Sequence, residues 1–119
     1  MSQAPRPPEI SPNEVFARVE RGDAVCLVDV RQPWEYENSH IPGALLLPLG
    51  ELPDRFAAEI DPAQTVICLC EHGVRSRSAA NFLAAQGYAN VATMTGGMAR
   101  YPGPVETGLP EKSSTESPA

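Results

Sequence analysis

The chain has 119 residues, 42% of them hydrophobic and 20% charged, which is typical of one globular domain with a core of its own. A formal net charge of −6 and the lack of a basic cluster argue against a nucleic-acid-binding surface. The longest apolar stretch, GALLLPLG, is too short to span a membrane, and the N-terminal residues lack the layout of a secretory signal, so we predict no membrane association.

Proline, serine and charged residues are concentrated at both ends of the chain. These segments contain too little apolar surface to offset the entropy lost when a chain becomes ordered. We therefore predict flexible tails over residues 1–8 and 105–119, and a single folded domain over residues 9–104.

Helical patterns alternate with short apolar runs along the folded part. The first helix begins with a capping box, in which Ser11 is the cap, Pro12 the first helical residue and Glu14 reaches back, and it ends at Gly22. An apolar run then predicts a strand over residues 24–30 that is covered on both faces. The elements predicted after it are a short helix from Pro33, a strand over 43–49, a helix over 52–60, a strand over 65–70, a helix over 76–87 and a strand over 90–94.

Buried strands that alternate with helices predict an α/β domain with a mostly parallel sheet. Ligands of such sheets bind beyond the carboxyl ends of the strands, where loops lead into helices. The apolar run TVICLC ends at Cys70, and a helix is predicted from Ser76. The intervening loop, CEHGVRS, is therefore the candidate site.

The residues of this loop suit a reactive thiol. A free cysteine is mostly protonated at neutral pH, because its pKa is about 8.5. The N-terminus of the following helix offers unpaired amide hydrogens and a partial positive charge. Gly73 allows a tight curl that turns several amides towards one spot, and Arg75 adds a permanent cation with a planar fork. These features predict that Cys70 is a stabilised thiolate in an anion-binding loop.

Three motifs, in the same order and spacing, resemble those of single-domain rhodaneses, which are sulfurtransferase modules. They are LVDVRQPWEYENSHIPGALLLPL, then CEHGVRS with the form Cys-x-x-Gly-x-Arg-Ser, and finally LAAQGYANVATMTGGMARY. The resemblance covers roughly residues 10–101. It implies a rhodanese-like three-layer fold, in which helices flank a mostly parallel five-stranded sheet.

The resemblance also implies a ping-pong transfer of sulfur. Cys70 would take the outer sulfur of thiosulfate or a persulfide and pass it to a thiol, to cyanide or to a partner protein. Loop amides would hold the transferred sulfur, and the Arg75 side chain would steady a charged donor. The residues implied to bind the substrate are Glu71, His72, Gly73, Val74, Arg75 and Ser76. No cofactor is implied, and the spacing of Cys68, Cys70 and His72 does not predict a metal site.

Two residues depart from the pattern of the family. Glu71 places a carboxylate beside the nucleophile, where like charge disfavours a thiolate and an anionic donor. This predicts inefficient use of thiosulfate and makes a persulfide an alternative donor. Tyr101 stands where the family usually has tryptophan, which we expect to alter packing only.

Two other kinds of function are alternatives to sulfur transfer. A non-catalytic sulfur carrier or protein-binding module is one alternative. A phosphatase or arsenate reductase is another, although tyrosine phosphatases place five residues between cysteine and arginine, whereas four separate Cys70 from Arg75. The smaller ring favours a sulfur atom over a phosphoryl group.

Other polar and aromatic residues receive structural interpretations. Three cysteines, an odd number, favour a reducing compartment over a disulfide framework, so we predict a cytoplasmic protein in which Cys26 and Cys68 pack in the core. His72 and Arg77 are expected to face solvent without catalytic roles. The residues expected to brace the fold or to cover the sheet edge are Asp29, Arg31, His40, Trp34 and Tyr36.

Overall fold

Five strands form one sheet in the computed structural model, which describes residues 6–110 of the chain. They are β1 (Glu9–Ile10), β2 (Val25–Asp29), β3 (Leu45–Leu46), β4 (Thr65–Leu69) and β5 (Val91–Met94). Their order is β1-β5-β4-β2-β3, and every neighbouring pair is parallel. The predicted α/β fold with a five-stranded parallel sheet is confirmed.

Helices cover both faces of the sheet, which gives the predicted three layers. They are α1 (Pro12–Arg21), α2 (Pro33–Asn38), α3 (Leu52–Glu59) and α4 (Val74–Ala85), with 3-10 turns at Leu49–Glu51 and Met98–Arg100. The helices α3 and α4 pack on one face, and α1 and α2 pack on the other. No helix in the described part of the chain is long and apolar enough to cross a membrane.

Alternate residues of the central strand β4 supply the two halves of the core. Val66 and Cys68 lie against α3 and α4, whereas Ile67 and Leu69 lie on the face covered by α1 and α2. This division follows from the two-residue period of a strand. Because both faces are covered, the strand is apolar throughout, as the sequence predicted.

The first helix has the predicted cap but not the full capping box. Ser11 Oγ accepts the backbone N–H of Glu14 at 3.1 Å, and Gly22 ends the helix with a left-handed φ of 78°. The Glu14 carboxylate accepts from Arg18 Nε at 3.3 Å, one turn further along, instead of returning to the cap.

Two strands differ from their predicted extents. The strand expected over residues 43–49 is reduced to Leu45–Leu46, because a 3-10 turn begins at Leu49, although the N–H groups of Leu47 and Leu49 still donate to the Asp29 and Val30 carbonyls. The strand β1 was not predicted, since two residues are too short to show an alternating pattern. It pairs with Thr93 and Met94 at the edge of the sheet.

The prediction for Trp34 was wrong. Tyr36 is buried, and its hydroxyl donates to the Ala44 carbonyl at 2.7 Å, as suits a residue that covers the sheet. The Trp34 side chain is 64% exposed. The two side chains are two positions apart on a short helix, so burying one turns the other towards solvent.

Part of the predicted C-terminal tail contacts the domain. Glu106 and His40 exchange two backbone hydrogen bonds of 2.9 Å, and the Gly108 N–H donates to the Glu37 carbonyl at 2.8 Å. His40 Nε2 lies 3.1 Å from the Glu106 carboxylate. The boundaries of the two tails stay predictions, and residues 1–5 and 111–119 lie outside the described residues.

Candidate active site

The candidate loop lies at the carboxyl end of the central strand. The strand β4 ends at Leu69, Cys70 follows it directly, and α4 begins at Val74 with Gly73 as its N-cap. Gly73 has a φ of 101°, in the left-handed region that favours glycine. The chain thus reverses within three residues and places the thiol beside the N-terminus of a 12-residue helix.

Backbone amides surround the Cys70 sulfur. The residue is 1% exposed, and its Sγ accepts the N–H of Gly73 at 3.1 Å and that of Ser76 at 3.3 Å. Ser76 Oγ lies 3.6 Å from the sulfur and 2.8 Å from Thr93 Oγ1 on β5. The sulfur therefore faces hydrogen-bond donors, an arrangement that favours negative charge on it.

Four further amides of the loop have no protein partner. Among residues 6–110, the N–H groups of Glu71, His72, Val74 and Arg75 form no hydrogen bond. Two of them occupy the first turn of α4, where an N–H has no partner within the helix. The loop can therefore donate several hydrogen bonds to an anionic atom attached to the cysteine.

The double-glycine segment after β5 holds the back of the loop. The N–H of Met98 donates to the Cys70 carbonyl at 2.8 Å, and the N–H of Ala99 donates to the Glu71 carbonyl at 3.1 Å. A Cβ on Gly97 would lie 2.2 Å from the Glu71 carbonyl oxygen, so only glycine fits there. Because the Cys70 and Glu71 carbonyls accept these hydrogen bonds, the orientation of their peptide groups is fixed. In the sequence, this segment is recognisable only as part of a family motif. The motif did not predict that the segment contacts the loop carbonyls.

The Arg75 side chain is bound to Glu35. Its two terminal nitrogens lie 2.7 and 2.9 Å from the two carboxylate oxygens of Glu35 on α2. This paired hydrogen bond, with a further bond from the Gln32 amide, lowers the pKa of Glu35 to about 2. The guanidinium that was predicted to steady a charged donor is thus already engaged, and its binding of a donor stays a prediction.

Arg31 has a carboxylate on each side. Its side chain is 2% exposed, and it donates to Asp29 at 2.8 and 2.9 Å and to the Ser39 carbonyl at 2.8 Å. Its Nη1 also lies 3.2 Å from Glu71 Oε1. These contacts tie β2, α2 and the loop together, in keeping with the expected bracing role of Asp29 and Arg31. They also show that the Glu71 carboxylate is directed to a guanidinium.

The other candidate side chains lie at the loop surface or pack with the core. His72 is exposed at the loop surface, and Cys26 and Cys68 pack with the core between the sheet and the helices α3 and α4. Burial raises the pKa of Cys68 to about 12, which keeps its thiol protonated. Within residues 6–110, no group of three or more histidine, cysteine, aspartate or glutamate side chains is arranged to hold a metal ion.

Comparisons with known proteins show which chains this one resembles. Residues 11–102 match the family model described as a rhodanese-like domain. Thiosulfate sulfurtransferase GlpE of Actinobacillus pleuropneumoniae serotype 7 is 38% identical over 102 residues, which are 86% of this chain and 90% of the relative. A Bacillus subtilis protein with the name "Putative sulfur carrier protein YrkF" is 35% identical over 99 residues, which are 83% of this chain and 53% of that protein.

A solved structure shows the same fold. The solution NMR structure of the rhodanese-like domain from the Alr3790 protein of Anabaena sp has a TM-score of 0.79 at 26% identity. The match covers 94% of this chain and 85% of that one. As its three motifs predicted, the chain belongs to the family of rhodanese-like domains.

Proposed function

We propose that the protein is a sulfurtransferase that moves a sulfane sulfur from thiosulfate or a persulfide to a thiol or cyanide, with Cys70 as nucleophile. The observation that carries the proposal is the pair of amide hydrogen bonds from Gly73 and Ser76 to the Cys70 sulfur. A helix N-terminus favours negative charge, so it favours both the thiolate and a persulfide anion. Relatives named thiosulfate sulfurtransferases, at 38% identity, support an enzyme of this type.

In the first half-reaction the Cys70 thiolate attacks the outer sulfur of the donor. A bond forms between Sγ and that sulfur while the sulfur–sulfur bond of the donor breaks. The electron pair of the broken bond leaves with the rest of the donor, which is sulfite when the donor is thiosulfate. The transferred sulfur carries the negative charge of a persulfide.

The unpaired amides of the loop would then bind this charge. They belong to Glu71, His72, Val74 and Arg75, and the contacts of Met98 and Ala99 hold the loop backbone in place. Donors that are fixed in advance lower the free energy of developing charge, because they do not have to reorganise during the reaction.

In the second half-reaction the acceptor attacks the outer sulfur of the persulfide. Cyanide forms a carbon–sulfur bond and leaves as thiocyanate, whereas a thiolate forms a new persulfide. The bond between Sγ and the outer sulfur breaks, and its electron pair returns to Cys70. The free thiolate is regenerated beside the same two amides.

Two other functions make different use of the loop. A sulfur carrier would form the same Cys70 persulfide but release it only to a partner protein, and the likeness to YrkF favours this as the second candidate. A phosphatase would need a guanidinium that grips the phosphoryl oxygens. Arg75 is bound to Glu35, which disfavours a phosphatase.

Intact mass spectrometry tests the proposal. Incubation with thiosulfate is expected to add the mass of one sulfur atom, and cyanide is expected to remove it with release of thiocyanate. Cys70→Ser should abolish the adduct. The matched variants Cys26→Ser and Cys68→Ser should keep it, because Cys68 is buried in the core and Cys26 is partly buried against it.

Three results would lead to other conclusions. No adduct with thiosulfate or a small persulfide would refute sulfur transfer at Cys70. An adduct that neither cyanide nor small thiols remove would favour the carrier. Release of phosphate from an aryl phosphate, dependent on Cys70, would favour the phosphatase.

A further inference from the structure

Three arginines near the loop are paired with carboxylates. The pairs are Arg31 with Asp29 and Glu71, Arg75 with Glu35, and Arg77 with Glu9. These pairs set four carboxylates against three guanidiniums, so together they carry one net negative charge, and Arg100, beside Gly96, is not part of them. A sequence motif that contains arginine suggests an anion-binding entrance, but the tertiary contacts neutralise that charge.

The carboxylates of Glu35 and Glu71 share a cavity beside the loop. Its volume is about 340 Å³, and Arg31, Trp34 and Asn38 also line it. The Trp34 side chain is 64% exposed, so an aromatic ring is available next to the two carboxylates. Carboxylates and an aromatic face favour a cation over an anion.

Two parts of a substrate meet different electrostatic environments at this site. The sulfur that is transferred meets the amides around Cys70, which favour its negative charge. The rest of the donor or acceptor would lie outside the loop, in the cavity that Glu35 and Glu71 line. The site therefore favours an anionic sulfur but not an anionic remainder.

We propose that Glu35 and Glu71 determine specificity by selecting sulfur donors and acceptors whose remainder is neutral or cationic. The substrate class is a thiol or its persulfide with an uncharged or ammonium-bearing remainder, in preference to the thiosulfate dianion or a carboxylate-bearing thiol. This inference rests on the proposed sulfur transfer through Cys70, and it concerns only which partners that transfer prefers.

Small thiols of similar size but different charge test the inference. The chain is loaded with sulfur at Cys70 from excess thiosulfate or cysteamine persulfide and is then desalted. Loss of the added sulfur is followed by mass with cysteamine, 2-mercaptoethanol or 3-mercaptopropionate, whose remainders are cationic, neutral and anionic. Each rate for Glu71→Gln is divided by the wild-type rate for the same thiol, so that the intrinsic reactivity of the thiol cancels.

The expected ratios differ among the three thiols. Glu71→Gln should speed transfer to 3-mercaptopropionate about three- to tenfold, change transfer to 2-mercaptoethanol less than about twofold, and slow transfer to cysteamine about threefold. Loading from thiosulfate should also become about three- to tenfold faster. Glu35→Gln should act in the same direction, because it removes a charge and leaves the Arg75 guanidinium without its carboxylate partner.

A matched control separates local charge from net charge. Glu20→Gln makes the same chemical change at an exposed position in the last turn of α1. That turn lies near the start of β2, at the amino ends of the strands, whereas the loop lies at their carboxyl ends. It should give equal ratios for the three thiols. Equal ratios for Glu71→Gln and Glu35→Gln would overturn the inference while leaving sulfur transfer intact. A wild-type chain that loads from neither donor would instead refute the proposed function.

Discussion

Gly97 is the position at which one added methyl group should disturb both the fold and the loop. A Cβ there would lie 2.2 Å from the Glu71 carbonyl oxygen and 2.5 Å from that of Cys70, which is far inside van der Waals contact. Gly97→Ala must therefore push the segment away from the loop. The two hydrogen bonds that Met98 and Ala99 donate to the loop carbonyls should be lost.

The cost can be estimated from these contacts. Gly97 has a φ of 65° and a ψ of −164°, a region that is essentially restricted to glycine, so alanine there costs about 1–3 kcal/mol, and loss of two backbone hydrogen bonds adds about 2 kcal/mol. We expect the free energy of unfolding to fall by about 3–5 kcal/mol. Urea denaturation should be followed by circular dichroism, because the chain's one tryptophan is exposed and reports poorly on burial.

Gly43→Ala is the matched control for this variant. Gly43 has a φ of 88°, but nothing lies within 4 Å of its added Cβ. The free energy of unfolding of Gly43→Ala should fall only by the conformational strain of about 1–2 kcal/mol, and the variant should still load sulfur. If Gly97→Ala matched this control in both stability and loading rate, the argument that Gly97 fixes the loop would be wrong.

Three further predictions concern single side chains. Thr93→Val should slow alkylation of the loop thiol about two- to fivefold, because Ser76 loses its 2.8 Å hydroxyl partner, and Thr93→Ser should restore the rate. Unchanged alkylation would show that this hydroxyl pair does not act on the sulfur. Tyr101→Phe should leave the free energy of unfolding unchanged or raise it by up to about 1 kcal/mol, because the buried hydroxyl has no partner within residues 6–110; a clear loss of stability would contradict this. Glu35→Gln should make the free energy of unfolding less dependent on acid pH. The pair with Arg75 holds the pKa of Glu35 at about 2, below its value in the unfolded chain. The stability that the Glu35 carboxylate contributes is therefore present above the unfolded pKa and is lost as the pH falls towards 2. The free energy of unfolding is measured by urea denaturation between about pH 5 and 2. If it changed with pH equally in wild type and variant, the proposed contribution of the Glu35–Arg75 pair would be wrong.

Features within a few neighbouring residues were predicted well. The cap at Ser11, the buried strand before Cys70 and the tight turn at Gly73 all depend on residue types in a short window. The strand β1 and the true length of β3 were missed, because each has two residues and exists only through its neighbour in the sheet. Such strands have no periodic pattern of their own.

The ion pairs of Glu35 and Glu71 beside the loop could not be predicted from the sequence either, because they join residues that are far apart in the chain. The sequence predicted that Arg75 steadies a donor and that Glu71 places a like charge beside the nucleophile, but it did not indicate which side chain each of them contacts. Glu35 and Arg75 are 40 residues apart, as are Arg31 and Glu71, and only the packing of α2 and β2 beside the loop brings them together. The exposed ring of Trp34 depends equally on which face of α2 is buried.

The sequence alone determined the α/β class, the position of Cys70 at the end of a buried strand, and the membership of the rhodanese-like family. These follow from local hydrophobicity, backbone preference and contiguous motifs. Tertiary structure decided which carboxylate neutralises each arginine and how Gly97 holds the loop carbonyls. Electrostatic interactions and steric overlap depend on distances in space, and those distances are set only when segments far apart in the chain pack together.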